Sequence, residues 1–343
     1  MPVRLAAALL VAPLADCKFP PPPDVADDGR TADDGGPTDA PVDAATSVPT
    51  IAFTSDRTGN NDIFTMRIDG TALVNLTNAP AADESPLWSP TGDHIAFVSR
   101  RTGTMELYVM QADGSGVTDV SRGTVGTFDW SPDGTQLVFD SPRSGSSELY
   151  RAHIDGRAPE QLTTLGGSAP RWSPDGRYIA FVNAGGVFVA PATLTGSTRV
   201  SQGSDTRPTW SPDSTRLAFS RRITFVNNDL IVVGRDGTNL TNVTNSPMTE
   251  MFPAWSPDGS RIAVVGGMDT NYEIHVIELT PFADANVSMT ASNDFNPAWS
   301  PDGRFVSFNS GNDVLAAAIA GGPLLNLTDS PAYDADATWR PRP

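Results

Sequence analysis

The chain has 343 residues, with 23 Lys+Arg against 40 Asp+Glu and a formal charge of −17. That balance excludes nucleic acid as a partner, because phosphate binding needs a cationic face. The single cysteine, Cys17, excludes a disulfide framework or a Cys-rich zinc module.

Residues 1–16 carry one basic residue, Arg4, and an apolar run from Leu5 to Leu14. That run is too short to span a bilayer and suits the core of an export signal. It ends in Leu14-Ala15-Asp16-Cys17, which resembles a bacterial lipobox, although Asp16 stands where that pattern has a small residue. The resemblance implies a lipidated Cys17, a membrane anchor through that lipid alone, and a place in the bacterial cell envelope, at the outer membrane or in the periplasm. Residues 17–50 then hold four consecutive prolines, Pro20 to Pro23, and a run of Asp, Ala, Pro, Thr and Gly. Such a composition buries too little apolar surface to offset ordering entropy, so a disordered tether is expected there. Positions 1–50 hold eight acids and three bases.

From residue 51 onward the chain repeats. Trp88, Trp130, Trp172, Trp210, Trp255, Trp299 and Trp339 are spaced by 42, 42, 38, 45, 44 and 40 residues. A period near 42 is that of a propeller blade. Ser-Pro-Asp follows Trp130, Trp172, Trp210, Trp255 and Trp299, and Gly comes next in all of these except at Ser214. Ser-Pro-Asp-Gly reads as a type I turn, with Pro fixing φ at its second position. A short apolar strand follows each turn, as in Ile95-Ala96-Phe97-Val98 and Leu217-Ala218-Phe219. Next come a loop, an acid that opens a third strand, and a short fourth strand such as Leu324 to Thr328. The alanine run Ala316 to Ala320 falls in register with a third strand, and register outweighs its helical propensity.

The ends of the array are informative. The chain enters at a second strand, Ile51-Ala52-Phe53, and leaves at a first strand, Ala337-Thr338-Trp339. The last strand can therefore complete the first blade. The expected fold is all-β, a seven-bladed propeller over 51–343 closed by pairing of the N- and C-terminal strands, which hides the sheet edges of an open array. Each Trp is expected to pack between neighbouring blades. The repeat resembles the TolB-like propeller family, with Trp-Ser-Pro-Asp-Gly, then Ile-Ala-Phe, then Asp or Glu followed by Ile-Tyr. TolB carries an α/β domain ahead of a six-bladed propeller, whereas here a tether precedes seven.

Chemistry-bearing residues are sparse. His94, His153 and His275 occupy three different repeat positions in three blades, so they are not expected to converge on a metal. Serine-hydrolase, zincin and phosphate-loop signatures are missing. Five residues before the Trp, however, five units carry an acid: Asp83, Asp205, Glu250, Asp294 and Asp334. Val125 and Gly167 stand at that place in the other two. Two readings are open. The acids could ring the mouth of the central channel, where they would bind a basic segment of a partner or a cation such as calcium. Alternatively each acid could hydrogen-bond its own loop. A second acidic series, Asp62, Glu106, Glu148, Asp229, Glu273 and Asp313, opens the third strands and is expected to be structural, pairing with loop arginines such as Arg57, Arg101 and Arg143.

The expectation for function is a monomeric, non-enzymatic envelope module that needs no cofactor and presents loops and a channel mouth to a protein or glycan. The alternative is a propeller enzyme, such as a metal-dependent polysaccharide lyase acting from that mouth.

Overall fold

The computed structural model describes residues 49–268 and 271–341. The export signal over 1–16, the lipidation at Cys17 and nearly all of the tether lie outside the described residues. What is described is all β, with twenty-eight strands in seven four-stranded antiparallel sheets. In each sheet the strand ending in Trp is at one edge and a short strand at the other. The fourth strands are mostly two residues long, as at Leu325–Asn326, so they are shorter than the sequence suggests.

Closure follows the expected scheme. Blade I combines Asp334–Trp339 with Thr50–Ser55, Asp62–Arg67 and Val74–Asn75. Ile51 pairs with Trp339, and the Arg340 N–H donates to the Thr50 carbonyl at 2.8 Å. Blades II to VII follow in chain order, with inner strands Asp83–Trp88, Phe128–Trp130, Ser168–Trp172, Ser204–Trp210, Thr249–Trp255 and Asp294–Trp299. The alanine run is the third strand Asp313–Ala318 of blade VII.

The second and third strands are near-continuous apolar runs because each blade packs on a neighbour at both faces, leaving no polar side to alternate. Phe53, Phe97, Phe139, Phe219 and Phe308 occupy one repeat position and are fully buried. Each contributes roughly 1.5–3 kcal/mol by leaving water. The tryptophans pack across the blade boundaries: Trp88 clusters with Ala52 and Ile63 of blade I, and Trp130 with Ala96 and Val109 of blade II. Four of them also reach back by hydrogen bond. The indole N–H of Trp130, Trp210, Trp299 and Trp339 donates to the carbonyl of Leu87, Arg171, Ala254 and Ala298 respectively.

The turn after each Trp folds as its sequence demands. In blade III the Gly134 N–H donates to the Ser131 carbonyl at 2.9 Å, while the Asp133 carboxylate takes the Ser131 hydroxyl and the Thr135 N–H. Gly134 has φ +68°, and Ser214, standing where the other turns have Gly, takes φ +60°. These turns lie at one end of the propeller. The loops that lead into the inner strands lie at the other, with the hairpins joining second to third strands, and this loop end holds the candidate site.

Candidate functional site

The loop end is built from two repeat positions on each inner strand. The first lies five residues before the Trp and carries the five acids singled out by sequence. Asp83, Asp205, Glu250, Asp294 and Asp334 are at most 2% exposed. None of them lines the channel. The expectation of a charged funnel therefore gives way. The carboxylates sit beneath their loops because the residue stands at or next to the start of the inner strand, where in three of the five blades its N–H is tied to the preceding blade. Asp83, Asp205 and Asp334 donate to the carbonyls of Asn61, Gly185 and Asn312, each at 2.8 Å.

What holds each acid depends on whether its blade supplies an arginine. In blades I, II and V one is present. Arg57 grips Asp334 at 3.0 and 3.1 Å, Arg101 grips Asp83 at 3.1 Å to both oxygens, and Arg221 grips Asp205 at 2.6 and 2.9 Å. Each guanidinium also lies over the aromatic side chain of its own second strand, at 5.2 to 5.5 Å from Phe53, Phe97 and Phe219. In blades VI and VII hydroxyls replace the arginine. Thr244 and Ser246 donate to Glu250 at 2.7 and 2.6 Å, and Thr290 donates to Asp294 at 2.9 Å. Burial pushes the pKa of both acids up, and the hydroxyls only partly offset it. Blade III has the arginine without the acid, and Arg143 donates instead to the Ser121 carbonyl at 2.8 Å.

Loop arginines Arg57 and Arg101 thus pair with the first acidic series, not the second as expected, and Arg143 pairs with neither. The second series is held by side chains from the fourth strand and the loop beyond it. Thr77 and Asn75 donate to Asp62, Thr163 to Glu148, Asn242 to Asp229, Ser288 to Glu273, and Asn326 to Asp313. Glu106 takes the Thr102 hydroxyl of its own hairpin.

The second repeat position lies three residues before the Trp, and sequence reasoning missed it. Ser85, Ala169, Arg207, Phe252, Asn296 and Asp336 all stand there with φ between +50° and +56°. The ladder to the second strand shifts register at this point, between Glu84 and Leu87 in blade II and at matching places elsewhere. A left-handed residue other than Gly costs roughly 1–2 kcal/mol, so six in one ring is an unusual concentration of strain. The kink aims side chains at the axis. A central cavity of about 400 Å³ is lined from all seven inner strands, and Ser85, Arg207, Phe252, Asn296 and Asp336 all border it. The available signal was the recurrent Pro86, Pro170, Pro208, Pro253 and Pro297, preceded by a residue that differs in every blade.

This channel is two-sided. On blades VII, I and II, Asn296 donates to Asp336 at 2.9 Å and Ser85 donates to it at 3.4 Å. On blades IV, V and VI stand Arg171, Arg207 and Phe252, with the Arg207 guanidinium 4.1 Å above the Phe252 ring. Burial and the like charge of Arg171 pull the Arg207 pKa below the usual arginine value. Arg171 is better anchored, donating to the Phe128 carbonyl at 3.2 Å. Asp129 in blade III takes the Trp172 N–H at 2.7 Å, and burial raises its pKa against the pull of Arg171. Such a mouth can recognise charge and apolar surface together.

The three histidines fall in blades II, III and VI, and none borders the channel. His275 instead bonds Asp284 of the outer strand at 2.8 Å. No group of three His, Cys, Asp or Glu among the described residues is placed to hold a metal ion.

The sequence matches a family described as the TolB beta propeller domain over residues 44–128, 123–246 and 215–342. No curated protein matches it. Solved structures share the fold. TolB from Acinetobacter baumannii is 19% identical with a TM-score of 0.60, over 85% of this chain and 67% of that one. An oligogalacturonate lyase in complex with manganese is 16% identical with a TM-score of 0.61, over 80% and 84%. A puromycin-hydrolyzing peptidase from Mycobacterium tuberculosis is 17% identical with a TM-score of 0.64, over 78% and 50%.

Proposed function

The chain belongs to the TolB beta propeller domain family, and from that premise we propose that it is a non-enzymatic binding module of the bacterial cell envelope. Its partner, a protein or a glycan, is taken at the channel mouth, and a lipid on Cys17 and the tether would hold the propeller at a membrane. One observation carries the reading: a strained ring of one repeat position that keeps its backbone in six of the seven blades and changes its side chain in each of them. Strain of this kind persists only where the surrounding structure enforces it, and it clusters at sites that bind or react. A propeller fold alone does not choose between binding and catalysis. The side chains favour binding, because the mouth offers two guanidiniums, two aromatic rings and a hydrogen-bonded carboxylate, with no imidazole or thiol.

The test is capture of partners from envelope extracts by purified protein. The double variant Arg207→Ala/Phe252→Ala should lose the partner while its melting temperature stays near that of the parent. Undiminished capture by that variant would move the site elsewhere. Metal-dependent cleavage of a polyuronate by the parent, abolished in the same variant, would favour the lyase reading instead.

A further inference from the structure

Beside the channel mouth lies a groove of about 420 Å³, bordered by Val182, Thr206, Arg207, Arg222, Met251 and Phe252. It exists because neighbouring hairpins differ in height. In blade IV the second and third strands join directly, with Asn183 paired to Gly186. In blade V the strands part at Arg222 and Asn228, and the residues between them form a tall loop. That loop is closed by its own hydrogen bonds, with the N–H of Ile223 and of Thr224 donating to the Asn227 carbonyl at 3.0 and 3.2 Å. It nevertheless leaves Ile223 48%, Phe225 100% and Val226 84% exposed. Both of its ends, Arg222 and Asn228, border the groove.

The charges there are unmatched. Asp205 borders the groove, but Arg221 neutralises it at 2.6 Å. Neither Arg207 nor Arg222 has a carboxylate partner among the described residues. Two unpaired guanidiniums on an apolar-walled groove stand out in a chain of charge −17. The planar fork of arginine suits a carboxylate, which it binds through two parallel hydrogen bonds.

We propose that this groove binds an extended, acidic segment of a partner protein, with carboxylates on Arg207 and Arg222 and a large apolar side chain against Phe225 and Val226. The apolar loop favours peptide over glycan, since a uronate chain offers carboxylates without an aliphatic or aromatic side chain to cover three exposed apolar residues. The proposal rests on the reading that the loop end receives the partner, and it adds the partner's class and its line of approach.

The probe is a fluorescein-labelled pool of octapeptides in which glutamate alternates with large apolar residues, titrated into the full chain and followed by anisotropy. Saturable one-to-one binding is expected. Arg222→Ala and Phe225→Ser should each weaken it about tenfold, a loss of about 1.4 kcal/mol, with the melting temperature unchanged because both side chains are exposed. Arg222→Lys should recover part of the loss. A pool with glutamine for glutamate should bind more weakly. The proposal is overturned if the acidic pool does not saturate, if the variants bind it as the parent does, or if trigalacturonate binds where the peptides do not. Should the pool fail while Arg207→Ala/Phe252→Ala still loses the envelope partner, the groove assignment falls and the channel-mouth reading stands.

Discussion

Two positions on the same seven strands, two residues apart, behave in opposite ways. Five residues before the Trp the side chain is an acid in five blades, is buried in all five, and is held by arginine or by hydroxyls. Three residues before the Trp the backbone is shared by six blades, but the side chain is Ser, Ala, Arg, Phe, Asn or Asp. Within one chain, a side chain that recurs is being asked the same question in each blade, namely how to secure a loop. A backbone that recurs under changing side chains is a platform, and the changes around the ring give its mouth a cationic and a polar wall.

The sharpest break of that comparison is to remove an acid. Arg57 and Asp334 are 277 residues apart and join the hairpin after the first described strand to the last strand. The Asp334 carboxylate is fully buried, while the Arg57 side chain keeps 18% exposure. Losing one partner of a buried pair costs about 3–5 kcal/mol, and the partial access of Arg57 to water lowers this to roughly 2–4 kcal/mol. Asp334→Ala should show that loss in chemical denaturation, with partner capture intact under native conditions. A stable variant that captures nothing would return the acids to a binding role. At the other position, Arg207→Ala should do the reverse: binding weakens tenfold or more, about 1.4 kcal/mol, and the denaturation midpoint does not move.

This contrast also explains how much could be read in advance. Trp spacing, the Ser-Pro-Asp-Gly turn and the missing first strand gave blade count and closure, the first two because they are local signals repeated from blade to blade and the third because it leaves the last strand to complete the first blade. Repetition made the acids conspicuous for the same reason, and it could not say whether they faced the channel or the loop. That depends on the register shift before the Trp, a property of the folded ladder. The variable residue beyond it carries no repeated letter at all. Arg207 and Phe252 look like unrelated residues until the shared kink places their side chains 4.1 Å apart.

A smaller effect tests the strain itself. Ala169 shares the kink, at φ +50°, but does not border the channel. Ala169→Gly should therefore stabilise the protein by about 0.5–1 kcal/mol, since Gly takes φ > 0 without steric cost while loosening the unfolded chain. A loss of stability would mean that the platform is not strained, and would remove the main support for a binding role.

The smallest effect separates the acids by the sign of their pH dependence. Glu250 and Asp294 have pKa values raised by burial, so the folded state holds their protons more tightly than the unfolded chain. Their contribution is full below the unfolded values, near 4.5 and 3.8, and is lost as pH rises through the folded ones. Asp258, in the turn at the far end, is the opposite case. The Ser256 hydroxyl and the Ser260 N–H lower its pKa, so its contribution is present above 3.8 and is lost as pH falls through the folded value. Denaturation midpoints of Glu250→Gln should therefore gain on the parent as pH rises from 4.5 towards neutrality, while those of Asp258→Asn should fall behind only below that interval, as pH rises to 3.8, and then keep a constant gap. Parallel curves for the two variants would show that the acids of the two ends sit in equivalent environments, and the hydroxyl-held carboxylates of blades VI and VII could then no longer be distinguished from ordinary turn residues.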